Sequence, residues 1–249
     1  MGLIFLALPL VALVIKAPWG RLTHLLGTRA VLTALRLSVE CASGATVISI
    51  VLGVPVAWVL ARSSWPGLRL VRALVTVPLV LPPVVGGVAL LLAAGRNGVI
   101  GRYLDSWFGI TLPFTTTGVV VAETFVAMPF LIVSVDGALR SADLGLEEAA
   151  ATLGASRWTV FRRVTVPLVL PSIGAGAVLC WARALGEFGA TITFAGNYPG
   201  TTQTMPLAIY NAFQTDPDAA IALSLVLLLV AVTLLVALRD RWLRAGTAA

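Results

Sequence analysis

The chain is dominated by apolar runs of about the length that a membrane-spanning helix needs. Roughly 20 mostly apolar residues cross a bilayer core as a helix, because lipid offers the backbone no hydrogen-bond partner. Six segments reach or approach that length: residues 3–15, 37–61, 71–94, 117–135, 166–188 and 219–238. The sequence therefore predicts an all-α, polytopic transmembrane helix bundle of about six spans, forming a single domain over residues 1–249.

Composition supports an outer surface that faces lipid. Hydrophobic residues make up 59% of the chain and charged residues only 11%, whereas a soluble domain carries about 25% charged residues. The 17 Lys and Arg outnumber the 11 Asp and Glu, but they stand singly between apolar runs, so no nucleic-acid surface is predicted. His24 is the only histidine, and Cys41 and Cys180 lie in apolar runs. We therefore predict no catalytic residue and no metal site.

Basic residues predict the orientation, because cytoplasmic loops are enriched in Lys and Arg. The fifth connection, residues 189–218, holds no basic residue. Two other regions are rich in arginine, namely the fourth connection with Arg140, Arg157, Arg162 and Arg163 and the C-terminal tail with Arg239, Arg241 and Arg244. We therefore expect a multi-pass cell-membrane protein whose fourth connection and C-terminus are cytoplasmic.

The first connection disagrees with that orientation. Lys16, Arg21, Arg29 and Arg36 follow span one and would lie outside. Either this segment lies along a membrane interface or the first segment is not a full crossing. A cleaved signal peptide is a rival for residues 3–15, but no basic residue precedes this run and no small-residue cleavage pattern follows it.

Span three contains helix breakers. Pro78, Pro82 and Pro83 are followed by Gly86 and Gly87. Proline removes a backbone donor and clashes with the preceding turn, so this span is predicted to be kinked or partly unwound. Such a break can line a transport pathway or serve only as a packing kink, and both interpretations stay open for Pro82 and Pro83.

Within the fourth connection, residues 141–165 form the predicted coupling segment, and their sequence favours two short helices joined at a corner. Glu147 and Glu148 suit the positive end of the first helix, and Gly154 can end it in the left-handed conformation. Ser156 can cap the second helix, and Pro167 follows where span five begins. The first helix is too short to persist alone in water, so it needs a surface to dock on. A plain loop between spans is the alternative.

These residues carry a family resemblance. Glu148-Ala149-Ala150, then Gly154, then Val164-x-Val166-Pro167 is similar to the E-A-A-x3-G-x9-I-x-L-P signature of ABC importer permeases, with valines in place of Ile and Leu. The resemblance implies the type I ABC importer permease fold, with a short cytoplasmic coupling helix between spans four and five. It also implies contacts with an ATPase subunit, to which we assign Glu147, Glu148, Ala149, Ala150, Leu153 and Gly154.

The following stretch points to a substrate by resemblance. The segments over residues 183–197 and 202–210 resemble molybdate permeases. The related sulfate permeases share the Arg-Ala-x-Gly-Glu-[Phe/Tyr]-Gly part of the first segment, whereas the second segment is more typical of molybdate importers. The resemblance implies import of molybdate, with sulfate, thiosulfate or tungstate as alternatives. No residue in the sequence indicates which central atom, and therefore which oxyanion, the protein distinguishes.

Candidate pathway residues follow from charge and position. Arg183 and Glu187 are four residues apart near the outer end of span five, so they are expected to share a helix face. Arg183 either attracts a divalent oxyanion or forms a structural ion pair with Glu187 or with a neighbouring subunit. Glu123 and Asp136, expected at the two ends of span four, have the same ambiguity. In the fifth connection, which holds no basic residue, the candidate gate residues are Asn197 and Gln203.

The resemblance also implies the partners. It implies a second copy of this chain, two cytoplasmic ABC ATPase chains that bind ATP and Mg, and an extracytoplasmic oxyanion-binding protein. The sequence contains no Gly-x-x-x-x-Gly-Lys-[Ser/Thr] loop, so we expect no cofactor in this chain and no ATPase activity of its own. An ion-coupled transporter would need carboxylates at mid-membrane, and an intramembrane enzyme would need a nucleophile with a base. We expect the acids near span ends instead.

Overall fold

The structure, a computed structural model, describes residues 1–245, with side chains described except at Leu144 and residues 234–245. That part of the chain contains helices and no strand, which confirms the all-α prediction. The helices are α1 (Gly2–Ile15), α2 (Leu22–Leu26), α3 (Arg29–Arg62), α4 (Leu68–Val80), α5 (Pro83–Ala94), α6 (Gly101–Phe108), α7 (Thr116–Ser141), α8 (Leu144–Thr152), α9 (Arg157–Val160), α10 (Val166–Leu185), α11 (Gly189–Phe194), α12 (Met205–Thr215) and α13 (Pro217–Ala245).

The core lies between α3, α7 and α10, which pack on one another along their lengths. Small residues permit the close approach, as is usual for helices packed in a membrane. A Cβ added to Gly53 of α3 would lie 3.0 Å from Cδ2 of Leu131 in α7. A Cβ added to Gly176 of α10 would lie 3.0 Å from the Cβ of Ser134. The three helices therefore form the closely packed centre of the fold.

We expect Gly176→Leu to lower the free energy of unfolding of the detergent-solubilised chain by about 1–3 kcal/mol, because extra methylenes in a packed contact force neighbouring groups apart. Gly174→Leu is the matched control, since a Cβ at Gly174, on the same helix, would have no atom within 4 Å. Thermal or denaturant unfolding of both variants measures the difference. Equal losses would contradict the assigned α7–α10 contact.

Among the residues that the structure describes, three helices are by themselves long and apolar enough to cross a membrane: Arg29–Arg62, Thr116–Ser141 and the continuous helical stretch Arg157–Leu185. Gly2–Ile15 and Trp19–Leu26 form a pair bent by 54° and become a fourth candidate if the pair is counted as one span. The predicted third span is divided into α4 and α5. The six-span arrangement therefore stays a prediction.

The break in the third predicted span lies at residues 81–82. Leu81 has extended backbone with φ −68° and ψ 130°, which ends α4. The ring of the following Pro82 disfavours the helical conformation at the residue before it. Pro83 then stands in the first turn of α5, where its missing N–H costs no helix bond. The predicted break is confirmed, whereas Pro78 lies inside α4.

The basic first connection is tied to the acidic end of the fifth. Arg21 donates to Asp218 at 3.2 Å and lies 3.5 Å from Asp216. These two connections therefore lie at the same end of the bundle, as their predicted outer location requires. Pairing with two carboxylates offsets the charge of Arg21, which is a physical reason for a basic residue at this end. The helix α1 buries none of its residues in this chain.

The last helix runs beyond the predicted sixth span. We expected a tail after residue 238, but α13 continues from Pro217 to Ala245. Arg239, Arg241 and Arg244 stand on its last turns, and their side chains lie outside the described residues. The prediction that these arginines mark the cytoplasmic side is therefore not tested by contacts.

Candidate functional site

Helix α8 begins and ends at residues that suit those positions. Asp143 is the N-cap, and its side chain accepts a hydrogen bond from the N–H of Gly145 at 2.8 Å. Gly154 ends the segment with φ +85°, a conformation that costs a residue with a Cβ about 1–2 kcal/mol. The N–H of Ala155 donates to the carbonyl of Ala150 at 3.1 Å. The predicted left-handed glycine is confirmed, and the Asp143 cap is an addition that its residue type and position could have indicated.

The second short helix is not separate from span five. Ser156 caps α9 as predicted, accepting from the N–H of Thr159 at 3.2 Å. The chain then runs through a π-helical turn, Phe161–Thr165, directly into α10. The expectation of two isolated short helices is wrong in this respect. A π turn shifts the pattern of backbone hydrogen bonds. Pro167 follows this turn in the first turn of α10, where the N–H that proline lacks is not needed for a helix bond.

The two adjacent glutamates of α8 face in different directions. Glu148 is exposed, whereas the side chain of Glu147 retains 15% of its accessible surface. Leu146, Ala149 and Leu153, which we call the α8 outer face, lie on one side of the helix and are all exposed, Leu153 at 88%. This face presents small and apolar groups, and the exposed carboxylate of Glu148 lies on another side of the same helix. The face and this carboxylate are the parts of the predicted coupling segment that are available to a partner.

Glu147 is bonded within the chain. Its Oε1 accepts from Nη2 of Arg62 at 2.9 Å and from Oγ1 of Thr165 at 3.0 Å. Arg62 is the last residue of α3, and Thr165 is the last residue of the π turn before α10. Sequence reasoning placed Glu147 with the ATPase contacts and missed both of its partners, which carry no signal in the sequence.

Arg183 and Glu187 form an ion pair, with Nη1 to Oε2 at 2.6 Å. They do not share a helix face as expected, because α10 ends at Leu185 and Gly186 is its C-cap. Glu187 is only 1% exposed, and its Oε1 accepts from the N–H of Ala190 at 2.8 Å in the first turn of α11. The geometry matches the ion-pair alternative, and a contact between Arg183 and an anion stays a prediction.

The proline break and the Glu187 loop come together in space. A Cβ on Gly189 would lie 2.8 Å from the Cβ of Pro83. A Cβ on Gly87 would lie 2.6 Å from the Cβ of Thr193 and 2.9 Å from the carbonyl oxygen of Ala190. The start of α5 and α11 therefore pack backbone to backbone. Pro82 and Pro83 are consequently beside the segment that carries Glu187, although they are distant in sequence.

Asn197 and Gln203 form a separate amide chain. Nε2 of Gln203 donates to Oδ1 of Asn197 at 3.0 Å, and Nδ2 of Asn197 donates to Oδ1 of Asn211 at 3.0 Å. Asn211 stands on α12 and was not among the predicted residues. Within the described residues no hydrogen bond joins these amides to the Arg183–Glu187 pair. The predicted pathway residues therefore divide into two groups.

The expected position of Glu123 at the end of a span is wrong. Helix α7 begins at Thr116, so Glu123 stands about two turns inside it. Its side chain is 1% exposed, and neither carboxylate oxygen has a hydrogen-bond partner among the described residues. Asp136 pairs with Arg140, Nη2 to Oδ1 at 3.0 Å. The argument that all acids lie near span ends therefore fails for Glu123.

A metal centre has little support in the described part of the chain. Among these residues no group of three or more His, Cys, Asp or Glu side chains is arranged to hold a metal ion. Cys41 and Cys180 are both buried and free. Cys180 belongs to the core between α3, α7 and α10, and Cys41 packs with Leu37, Val119 and Ala195.

Comparison with known proteins gives consistent matches over most of the chain. The family described as "Binding-protein-dependent transport system inner membrane component" matches residues 49–245. A protein of Mycobacterium tuberculosis named molybdenum transport system permease protein ModB is 54% identical over 230 residues, covering 92% of this chain and 87% of its own length. The protein of the same name from Escherichia coli K12 is 44% identical over 210 residues, covering 84% of this chain and 92% of its own length.

Solved structures match the same fold. A bacterial ABC transporter involved in the import of the acidic polysaccharide alginate has a chain with TM-score 0.72 and 20% identity, covering 98% of this chain and 91% of that one. The MetNI methionine ABC transporter has a chain with TM-score 0.68 and 18% identity, covering 86% of this chain and 95% of that one. At these identities the likeness concerns the fold alone, and it agrees with the predicted ABC importer permease fold.

Proposed function

The chain belongs to the family of binding-protein-dependent transport system inner membrane components, and from that membership we propose that it is the membrane-spanning permease subunit of an ATP-driven molybdate importer. The single observation that carries the proposal is the 54% identity over 92% of the chain with a protein named molybdenum transport system permease. The alternatives are sulfate, thiosulfate and tungstate. Each is a tetrahedral divalent oxyanion, so the choice rests on the named relatives.

In this proposal α8 is the coupling helix. Its outer face, Leu146, Ala149 and Leu153, and the exposed carboxylate of Glu148 would meet a cytoplasmic ATPase chain that binds ATP and Mg. Two copies of the permease would enclose the pathway between them. Closure of two ATPase chains on ATP would push both α8 helices and switch the dimer between inward-open and outward-open states.

The charge distribution supports the cytoplasmic location of α8. Arg72 and Arg140 donate to the carbonyl of Leu60 in the last turn of α3, and Arg62 at the end of that helix donates to Glu147 of α8. Cytoplasmic ends of membrane proteins are rich in such residues. The opposite end holds α11, α12 and the uncharged amide chain of Asn197 and Gln203. That end is the proposed docking side for the extracytoplasmic binding protein.

A neutralised arginine suits a pathway that passes an anion without holding it. The carboxylate of Glu187 pairs with the guanidinium of Arg183 at 2.6 Å. In this conformation the guanidinium therefore offers little unpaired positive charge to an oxyanion. Conduction requires that an ion leave as readily as it enters. Selection of molybdate would then rest mainly with the binding protein, and the permease would open on its arrival.

Transport by the reconstituted complex tests this proposal. The chain is placed in proteoliposomes with its co-encoded ATPase subunit and oxyanion-binding protein, and uptake of radiolabelled molybdate is measured. We expect uptake that requires both ATP and the binding protein and that an equal concentration of sulfate scarcely reduces. Uptake of sulfate without molybdate would overturn the substrate, and uptake driven by an ion gradient without ATP would overturn the transporter class.

A further inference from the structure

The cytoplasmic end of α3 collects polar contacts from several helices. The carbonyl oxygen of Leu60 accepts from Nη2 of Arg72 in α4 at 3.1 Å and from Nη2 of Arg140 in α7 at 2.7 Å. Backbone carbonyls in the last turn of a helix lack partners within the helix, so these arginines satisfy a group that would otherwise be unpaired. We call residues 60–62 the α3 end. It holds α3, α4 and α7 in one arrangement.

Glu147 connects α8 to the α3 end. Its Oε1 accepts from Arg62 at 2.9 Å and from Thr165 at 3.0 Å, so one oxygen joins α8 to α3 and to the entry of α10. The side chains of Arg62 and Glu147 are 14% and 15% exposed, and Thr165 is 1% exposed. A pair so shielded from water is screened much less than a surface ion pair.

Helix α8 has little other attachment. It is nine residues long, which is too short for an isolated helix to persist in water. None of its residues with a described side chain is fully buried, so apolar packing contributes little to its position. The contacts of Glu147 are therefore the main link by which the position of α8 is defined relative to α3 and α10.

We propose that the Arg62–Glu147–Thr165 cluster is the joint that transmits movement between α8 and the membrane helices, with Glu147 as a positioning residue and Glu148 facing the partner. The proposal rests on the function proposed above and refines it by giving the two adjacent glutamates different roles. When α8 is pushed, Glu147 carries the displacement to α3 and to the start of α10. Helix α3 passes it to α4 and α7 through the carbonyl of Leu60.

The test uses the complete reconstituted transporter and measures three quantities, namely ATPase binding, ATP hydrolysis and molybdate transported per ATP hydrolysed. For Glu147→Gln we expect nearly normal ATPase binding and continued hydrolysis, with transport per ATP reduced about fivefold or more, the size of a typical coupling between sites. Normal ATPase binding also reports that the variant is folded. Thr165→Val, which removes only the hydroxyl donor, is expected to cause a smaller loss in the same ratio.

A charge-reversal double variant distinguishes a specific role of the Arg62–Glu147 pair in coupling from a general effect on the structure. Arg62→Glu alone places two carboxylates together and should lower transport per ATP, whereas Arg62→Glu with Glu147→Arg should restore much of it. The hydroxyl of Thr165 can accept from the new arginine as readily as it donates to Glu147. The matched control is Glu40→Gln, which breaks the exposed Arg36–Glu40 pair and should leave the ratio unchanged.

Three results would overturn the proposal while leaving the proposed function intact. The first is an unchanged ratio in Glu147→Gln, and the second is a double reversal no better than its single variants. The third is loss of ATPase binding in Glu147→Gln, which would place Glu147 in the docking surface. If the wild-type chain neither bound the ATPase nor imported molybdate, the proposed function itself would be wrong.

Discussion

Replacing Glu148 with arginine is expected to weaken binding of the ATPase subunit to this chain by about a hundredfold. Reversing one charge across an interface places like charges together, which costs several kcal/mol. Glu148 is exposed on α8 and makes no ion pair or side-chain hydrogen bond within the described residues. The substitution therefore changes the surface offered to a partner and leaves the fold of this chain unchanged. Co-purification from solubilised membranes measures the loss.

Glu148→Gln keeps the size and the hydrogen-bonding oxygen of the side chain, so we expect a smaller loss of about tenfold, as for a single hydrogen bond to a charged group. Both variants should reach the membrane fraction at the wild-type level, because Glu148 has no contact in the core. Normal ATPase association of Glu148→Arg would mean that α8 does not dock on the ATPase. External labelling of residues near Ala150 would lead to the same conclusion.

Glu187→Gln is expected to lower the free energy of unfolding of the chain by about 3–5 kcal/mol, the usual cost of removing one partner from a buried ion pair. Glu187 is 1% exposed and pairs with Arg183 at 2.6 Å. Glutamine still accepts from the N–H of Ala190, but it leaves the guanidinium of Arg183 without a counter-charge. Denaturant unfolding of the purified chain in detergent measures the loss.

The matched control is Glu40→Gln. Arg36 and Glu40 also form an Arg–Glu pair four residues apart at 2.6 Å, but their side chains are 79% and 52% exposed. Exposed pairs contribute about 0–1 kcal/mol, so this variant should be almost neutral. If both variants were equally stable, burial would not strengthen the Arg183–Glu187 pair, and the ion-pair interpretation of Arg183 would fail.

Local signals in the sequence were sufficient for several parts of this structure. The end of α8 at Gly154 and the cap at Ser156 depend on the conformational range of one residue and the reach of one hydroxyl. The break before Pro83 follows from the ring of Pro82 and the absence of a proline N–H. Each of these causes acts within a few residues along the chain. The sequence therefore predicted the end at Gly154 and the cap at Ser156 at the correct residues, and it predicted a break within the third span without choosing among its prolines.

Contacts between distant residues could not be predicted in the same way. From the sequence Glu123 is expected at the end of a span, but α7 begins at Thr116 and the folded chain buries the side chain. The sequence indicates only that Gly189 is a small residue, yet in the structure it packs closely against Pro83 at the break in the third span. Neither the burial of Glu123 nor the contact of Gly189 with Pro83 is indicated by a local sequence pattern, because each depends on which helices become neighbours.

The sequence alone determined that this protein is a helical membrane bundle, because runs of apolar residues have one stable solution in lipid. It also determined the family, because a spaced signature between two spans is a local property. Only the tertiary structure decided which of two identical neighbouring side chains turns inward. The side chains of Glu147 and Glu148 point about 100° apart around the helix axis. Glu147 is the one that faces inward because the fold places its hydrogen-bond donors, Arg62 and Thr165, on that side of α8.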